Sequence, residues 1–163
     1  MENAINQDYQ HRLAHAARHA SVTEIDNLLD QVSPHLPTAE QILLQKSALA
    51  GNPNVFKHIL QRNPQAIFTE DIRYYAVTGG VAIWQVLLDE KPECVNWDIG
   101  YHGDALGLAV SRKNAPLVRF LLNHGADIHR SNVVGLPVLE FAMGRNIDED
   151  IIQLLIQRGG AEI

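Results

Sequence analysis

The sequence predicts an all-α array of about five stacked helix–turn–helix repeats, and three observations predict it. Paired apolar residues recur at a nearly fixed period. Each pair closes a segment whose apolar residues fall at helical spacing, and a shorter segment rich in small residues precedes each one. Leu121-Leu122 are followed 34 positions later by Leu155-Ile156 and preceded at the same distance by Leu87-Leu88. Ile59-Leu60 stand 28 positions before that, and Leu28-Leu29 a further 31 before. A recurrence in this range marks a repeat architecture, in which one unit cannot bury its apolar face alone and neighbours must stack.

Each unit carries its own start and stop signals. In the first, residues 8–37, "LAHAARHA" precedes a helix opened by Ser21 and Glu24, a capping-box pattern. In the second, residues 38–65, "LLQKSALAG" leads to Asn52 ahead of Pro53, the stripe Val55, Phe56, Ile59, Leu60, and a stop at Asn63-Pro64. The third, residues 66–97, has Thr69 as its cap, "IRYYAVTGG", the stripe Ile83, Trp84, Leu87, Leu88, and a stop at Lys91-Pro92. The 28-residue spacing before it leaves room only for a shortened loop around "RNPQAIFTED". The fourth, residues 98–131, is capped by Asp104 and runs through "LGLAVSRKN" and Leu117, Val118, Leu121, Leu122 to a stop at Gly125. In the fifth, residues 132–163, "LEFAMGRN" precedes Asp148, an acidic first turn, and a stop at Gly159. Apolar residues at i, i+1, i+4 and i+5 make one stripe on a helix. Ala16, Ser47, Ala109 and Ala142 are small enough to let two helices approach closely.

Two stretches, "DALGLAVSRKNAPLVRFLLNHGADIH" and "GLPVLEFAMGRNIDEDIIQLLIQRGGAEI", resemble the ankyrin repeat family, including "GAD" after the second helix. "CVNWDIGYHGD" looks like the extended finger between two repeats. The resemblance implies an ankyrin-repeat solenoid with short finger loops, a single domain over residues 1–163. The family's Thr-Pro-Leu-His box is replaced by Asp104-Ala105-Leu106-Gly107 in one repeat and by Pro137-Val138-Leu139-Glu140 in the next. That substitution puts the family's usual hydrogen bonds between adjacent repeats in doubt there.

In this family the partner usually meets the finger tips and the exposed side of the first helices. The resemblance therefore implies a non-catalytic module for a protein partner, without a cofactor. It points to Trp97, Gly100, Tyr101, Ser111, Arg112 and Ser131, and in the next repeat to Val133, Val134, Leu136, Gly144 and Arg145. The earlier repeats contribute Arg18, His19, Leu49, Ala50, Val77 and Thr78. Trp, Tyr and Arg dominate binding hot spots because they join large area to a directional polar group. The alternative for Trp97 and Tyr101 is packing under and over the finger. The apolar residues at Val133, Val134 and Leu136 serve neighbouring fingers or a partner equally well.

Two constellations raise a different class of function, a small enzyme or metal-dependent activity. His11, His15 and His19 recur every four residues along one helical face, and such pairs can ligate a divalent metal. Against this stands the ordinary polar face of a terminal repeat, with no third ligand visible. Cys94, Asp98, His102 and Asp104 lie close in sequence and can be imagined as nucleophile, orienter and base. The competing reading makes Cys94 a small buried hydrophobe, Asp104 a cap and His102 solvated. His124 in "NHGAD" is read as framework. Neither a metal nor a catalytic assignment is made.

The formal net charge of −6 and the scatter of basic residues argue against nucleic acid or an anionic membrane as partner. One cysteine excludes an internal disulfide. "MENAINQDYQHR" is too polar for the core of a signal peptide, and no apolar window reaches membrane length. The expected location is cytoplasmic, with the nucleus not excluded. At the C-terminus, Ile151, Ile152, Leu154, Leu155 and Ile156 cannot all point inward, since successive positions lie about 100° apart. Solvent, a further repeat or a second copy forming a homodimer are the three covers this leaves open.

Overall fold

A computed structural model describes residues 7–31 and 36–160. Among these residues there are α-helices and 3₁₀ turns, and an isolated antiparallel bridge between Ser131 and Pro137 stands in place of strands. The chain divides into two compact units, one through Val86 and one from Leu87. The first holds α1 (Gln7–His19), α2 (Val22–Asp30), α3 (Leu36–Ala50), α4 (Pro53–Arg62), α5 (Glu70–Gly79) and the start of α6 (Val81–Glu90). The second holds the end of α6, α7 (Ala105–Ser111), α8 (Ala115–Asn123), α9 (Val138–Gly144) and α10 (Glu149–Gly160).

In the first unit α1 packs on α3, α3 on α5, and α3 on its own partner α4. In the second, α7 packs on α8 and α9, and α10 on α8 and α9. First helices thus stack on first helices, as a repeat array requires. The apolar stripes supply the core: Val55, Phe56, Ile59 and Leu60, then Ile83, Trp84, Leu87 and Leu88, then Leu117, Val118, Leu121 and Leu122 are all buried. Burying one such aliphatic or aromatic side chain contributes roughly 1.5–3 kcal/mol. The small residues Ala16, Ser47, Ala109 and Ala142 are buried where first helices meet. A close approach of α5 to α3 is at Gly79, where an added Cβ would lie 1.9 Å from the carbonyl oxygen of Ala48.

The start signals form as the sequence predicts. The Ser21 hydroxyl accepts from Glu24 N–H, and Glu24 Oε2 accepts in return from Ser21 N–H at 2.6 Å. Asn52, Thr69, Asp104 and Asn114 cap α4, α5, α7 and α8 through their side-chain oxygens. Asn52 reaches further: its Nδ2 donates to the carbonyls of Ala17 and Arg18 at 3.2 and 3.3 Å. One amide therefore closes the end of α1 and opens α4. Asn96 brackets the turn after α8 in a similar way, donating to Gly125 O and accepting from Asp127 N–H. Arg158 on α10 donates to Leu122 O at the end of α8.

The shortened loop after α4 is a 3₁₀ turn, Pro64–Phe68. Two expectations are corrected. "CVNWDIGYHGD" is not an extended finger: it folds as two 3₁₀ turns, Pro92–Asn96 and Gly100–His102, because buried Cys94, Val95 and Ile99 pull it inward. Gly159 does not stop the last helix, which runs on through Gly160. Of the five C-terminal apolar residues, Ile151 and Leu155 are buried, Ile152 and Leu154 half-buried, and Ile156 exposed.

Candidate interaction surface

The second unit displays large apolar side chains that its own core does not use. Tyr101 is 59% exposed, Val133 61%, Val134 59%, Leu136 40% and Met143 67%. Two turns carry four of them. The first is Gly100–His102, closed by Gly103 N–H donating to Gly100 O at 3.1 Å and by Ile99 N–H donating to Gly103 O at 2.7 Å. Both glycines have positive φ, +57° and +85°, a region where a side chain is strained. Ile99, buried in the core, anchors the turn and leaves Tyr101 outside.

The second turn is the hairpin after α8. Asn132 organises it: its Oδ1 accepts from Val134 and Leu136 N–H, both at 3.1 Å, while Asn132 N–H donates to Leu136 O. Gly135, at φ +77°, donates to Asn132 O and completes the reversal. Val133 and Val134 are thus presented on a turn closed by four hydrogen bonds to and from Asn132. The two turns meet at Gly103, where an added Cβ would lie 3.1 Å from Ser131 O and 3.2 Å from Asn132 Cα. Sequence reasoning placed Tyr101 and Val133 in successive fingers; the structure brings those fingers into contact.

Beneath the contact, Arg130 ties the turns together. Its Nη2 donates to Asp98 Oδ1 at 2.6 Å, and its Nε forms an ion pair with Asp104 Oδ2 at 3.3 Å. That second contact lacks hydrogen-bond alignment. Asp104 is buried, and burial raises its carboxyl above the ordinary value, against the lowering effects of Gly107 N–H and the Arg130 charge. The crevice around Asp104, Arg130, Leu136 and Phe141 is about 10 Å³, too small for an organic ligand.

The other predicted residues divide. Arg112 and Arg145 are exposed, with the Arg145 guanidinium 5.4 Å above the Phe141 ring. Ser131 and Gly144 are also exposed, and Gly100 is half-buried. Trp97 is half-buried with Lys91 Nζ 5.6 Å over its ring. Ser111 is half-buried and its hydroxyl donates back to Leu108 O at 2.9 Å. In the first unit Arg18, His19, Leu49, Ala50 and Thr78 are exposed. Val77 is a correction: it is fully buried, facing the core of α5 beside Ala76 and Arg73. Met143 was missed. The signal was available, because Met143 follows Ser111 by 32 positions, the offset that also relates Val133 to Tyr101 and Leu136 to Asp104.

Neither constellation for metal or catalysis assembles as a closed site. His11, His15 and His19 are exposed on α1, and among the described residues no group of three or more His, Cys, Asp or Glu is placed to hold a metal. Cys94 is buried, and Asp98 and Asp104 both engage Arg130. The His102 side chain lies outside the described residues. His124 is framework, its Nδ1 at 2.7 Å from Phe120 O and its ring against the Phe120 ring. No helix among the described residues is long and apolar enough to cross a membrane.

The ankyrin repeat family model matches residues 104–133, which span α7, α8 and the first part of the hairpin. No curated protein matches the chain.

Proposed function

We propose that this ankyrin-repeat-bearing, all-α chain is a non-catalytic protein-binding module. Its contact surface is Tyr101, Val133, Val134, Leu136 and Met143, flanked by Arg112 and Arg145. One observation carries the reading. Two valines stand about three-fifths exposed at the tip of a hairpin whose backbone is fixed by the Asn132 side chain. Apolar groups on a rigid turn lose little conformational entropy on association, so their burial converts efficiently to affinity. Tyr101 adds a broad ring with a hydrogen-bonding end, a type enriched at binding hot spots. Trp97 and Ser111, both half-buried, are the less exposed members of the proposed surface. Ankyrin repeats are in general non-catalytic interaction modules, and the family match over residues 104–133 supports the reading.

Quantitative affinity capture from native lysate tests the reading. Wild type is compared with a Val133→Ser, Val134→Ser variant and with a Tyr101→Ala, Arg112→Glu, Arg145→Glu variant. All substituted positions are exposed, so circular dichroism is expected to stay unchanged. A protein retained by wild type and lost from both variants is purified and its affinity for each chain measured. Equal affinity for wild type and the valine variant refutes the proposed surface.

A further inference from the structure

We propose that His15 and His19 form a surface site for a borderline divalent cation, of which Zn²⁺ is the type, in the groove between α1 and α2. Positions four apart on a helix share a face, which puts both imidazoles on the same side of α1. Their ring centroids are 5.1 Å apart with the planes tilted by 54°. For two imidazoles on one tetrahedral ion, metal–nitrogen distances of about 2.0–2.1 Å place the ring centres about 5 Å apart. The observed centroid separation is within reach of that value, and rotation of the exposed side chains suffices to turn the nitrogens toward a shared ion.

The surroundings favour a cation. The groove is lined by His11, His15, His19 and Glu24, together with the oxygen-bearing side chains of Asn27 and Gln31. Glu24 is fixed at the start of α2, its Oε2 accepting from Ser21 N–H at 2.6 Å and from the Ser21 hydroxyl at 3.0 Å. Its carboxyl group lines the same groove as the imidazole pair. Arg12, the fixed cation lining the same groove, is occupied with Gln31 Oε1 at 3.4 Å and with the Tyr9 ring. His11 turns its Nδ1 to Gln7 O at 3.1 Å, toward the first turn of the helix, which leaves His15 and His19 as the pair.

Two protein ligands leave the other coordination positions to water. Such a site is open and exchangeable, unlike a closed four-ligand structural zinc. Imidazole suits Zn²⁺, Ni²⁺ and Cu²⁺ and discriminates against Mg²⁺ and Ca²⁺, which take oxygen ligands. The inference is independent of the interaction surface in the second unit.

The test uses the full chain without a histidine tag, stripped with chelator and titrated with ZnCl₂ by calorimetry. One equivalent is expected to bind. His15→Ala and His19→Ala are each expected to weaken binding at least about tenfold, as loss of one of two ligands requires. His11→Ala and His129→Ala change it less than about twofold, lying outside the coordinating pair. In parallel, Ni²⁺ added to ¹⁵N-labelled wild type should broaden amide signals around α1 and α2 first, a readout that needs no variant. No heat and no broadening at millimolar metal overturns the proposal. So does unchanged affinity in either His15→Ala or His19→Ala, or broadening centred on His124 or His129.

Discussion

Asn52 offers the most direct measurement of how adjacent repeats are joined. Its Oδ1 accepts from Val55 N–H at 3.4 Å to cap α4, and its Nδ2 donates to Ala17 O and Arg18 O at the end of α1. Replacing a capping Asn by Ala costs about 1 kcal/mol. Losing the donor to two helix-end carbonyls costs about another 1 kcal/mol, the usual net value of a partly buried hydrogen bond. Asn52→Ala is therefore expected to destabilise the first unit by about 2 kcal/mol. Asn52→Ser keeps a capping oxygen but cannot reach the carbonyls, so it should lose about 1 kcal/mol, half of the total. Urea unfolding followed by tryptophan fluorescence measures both. On a Trp97→Phe background the signal comes from Trp84, which lies in the first unit. If Ser and Ala variants are equally destabilised, the cap contributes nothing; if Ser matches wild type, the bridge to α1 contributes nothing. Either result refutes the double role.

Three further outcomes are expected. Gly79→Ala should destabilise by about 3 kcal/mol, because its Cβ would meet the Ala48 carbonyl, a backbone group that cannot turn aside, as well as the Ile83 side chain; thermal unfolding checks it. Lys113, at φ +56°, occupies the left-handed position after α7 that Gly51 fills after α3. Its ion pair with Asp148 is exposed on both sides and contributes little. Lys113→Gly should therefore raise stability by about 0.5–1 kcal/mol, since relief of the left-handed penalty exceeds the added freedom of the unfolded chain; a lower melting temperature would contradict this. Asp104 has a folded-state pKa raised by burial, so the folded state holds its proton to higher pH than the unfolded chain. Its contribution favours folding below the unfolded-state value and fades as pH rises through the raised folded value. Asp104→Asn, which keeps a capping oxygen, should remove that downward slope from stability measured across the acidic range. A carboxyl carbon titration of Asp104 with a midpoint at or below the ordinary 3.8 would count against the burial argument.

Much of the fold was legible because its determinants are local. Helix starts depend on one side-chain oxygen within three residues of an N–H, so Ser21, Asn52, Thr69 and Asp104 could be read directly. The apolar stripes were legible because helical spacing alone decides which residues face inward. Val77 failed for the same reason it seemed attractive: it was placed by analogy between repeats, whereas the phase of α5 turns Ile72, Ala76 and Val77 to the core. The loop at 94–104 was misread because its shape depends on distant packing. Ile99 is drawn into the interior and the chain shortens into 3₁₀ turns around it. Met143 carries no signal of its own inside α9, and only its register against Ser111 separates it from buried Ala142.

The repeat that matches the ankyrin family lacks the Thr and His of the usual box, and the structure shows what stands in their place. Asp104 occupies the cap position and hydrogen-bonds Gly107 N–H, while its other oxygen faces Arg130 from the following hairpin. Arg130 also holds Asp98, so one guanidinium links the turn carrying Tyr101 to the hairpin carrying Val133 and Val134. A partly buried charge bridge is a poor source of stability, because desolvation consumes most of its Coulomb energy. It is better suited to fixing the relative position of two loops, since an unpaired Asp104 or Arg130 would be worse in any other arrangement. The departure from the family pattern therefore falls where two finger turns must be held in register. That register sets the exposed Tyr101, Val133 and Val134 on two adjoining turns.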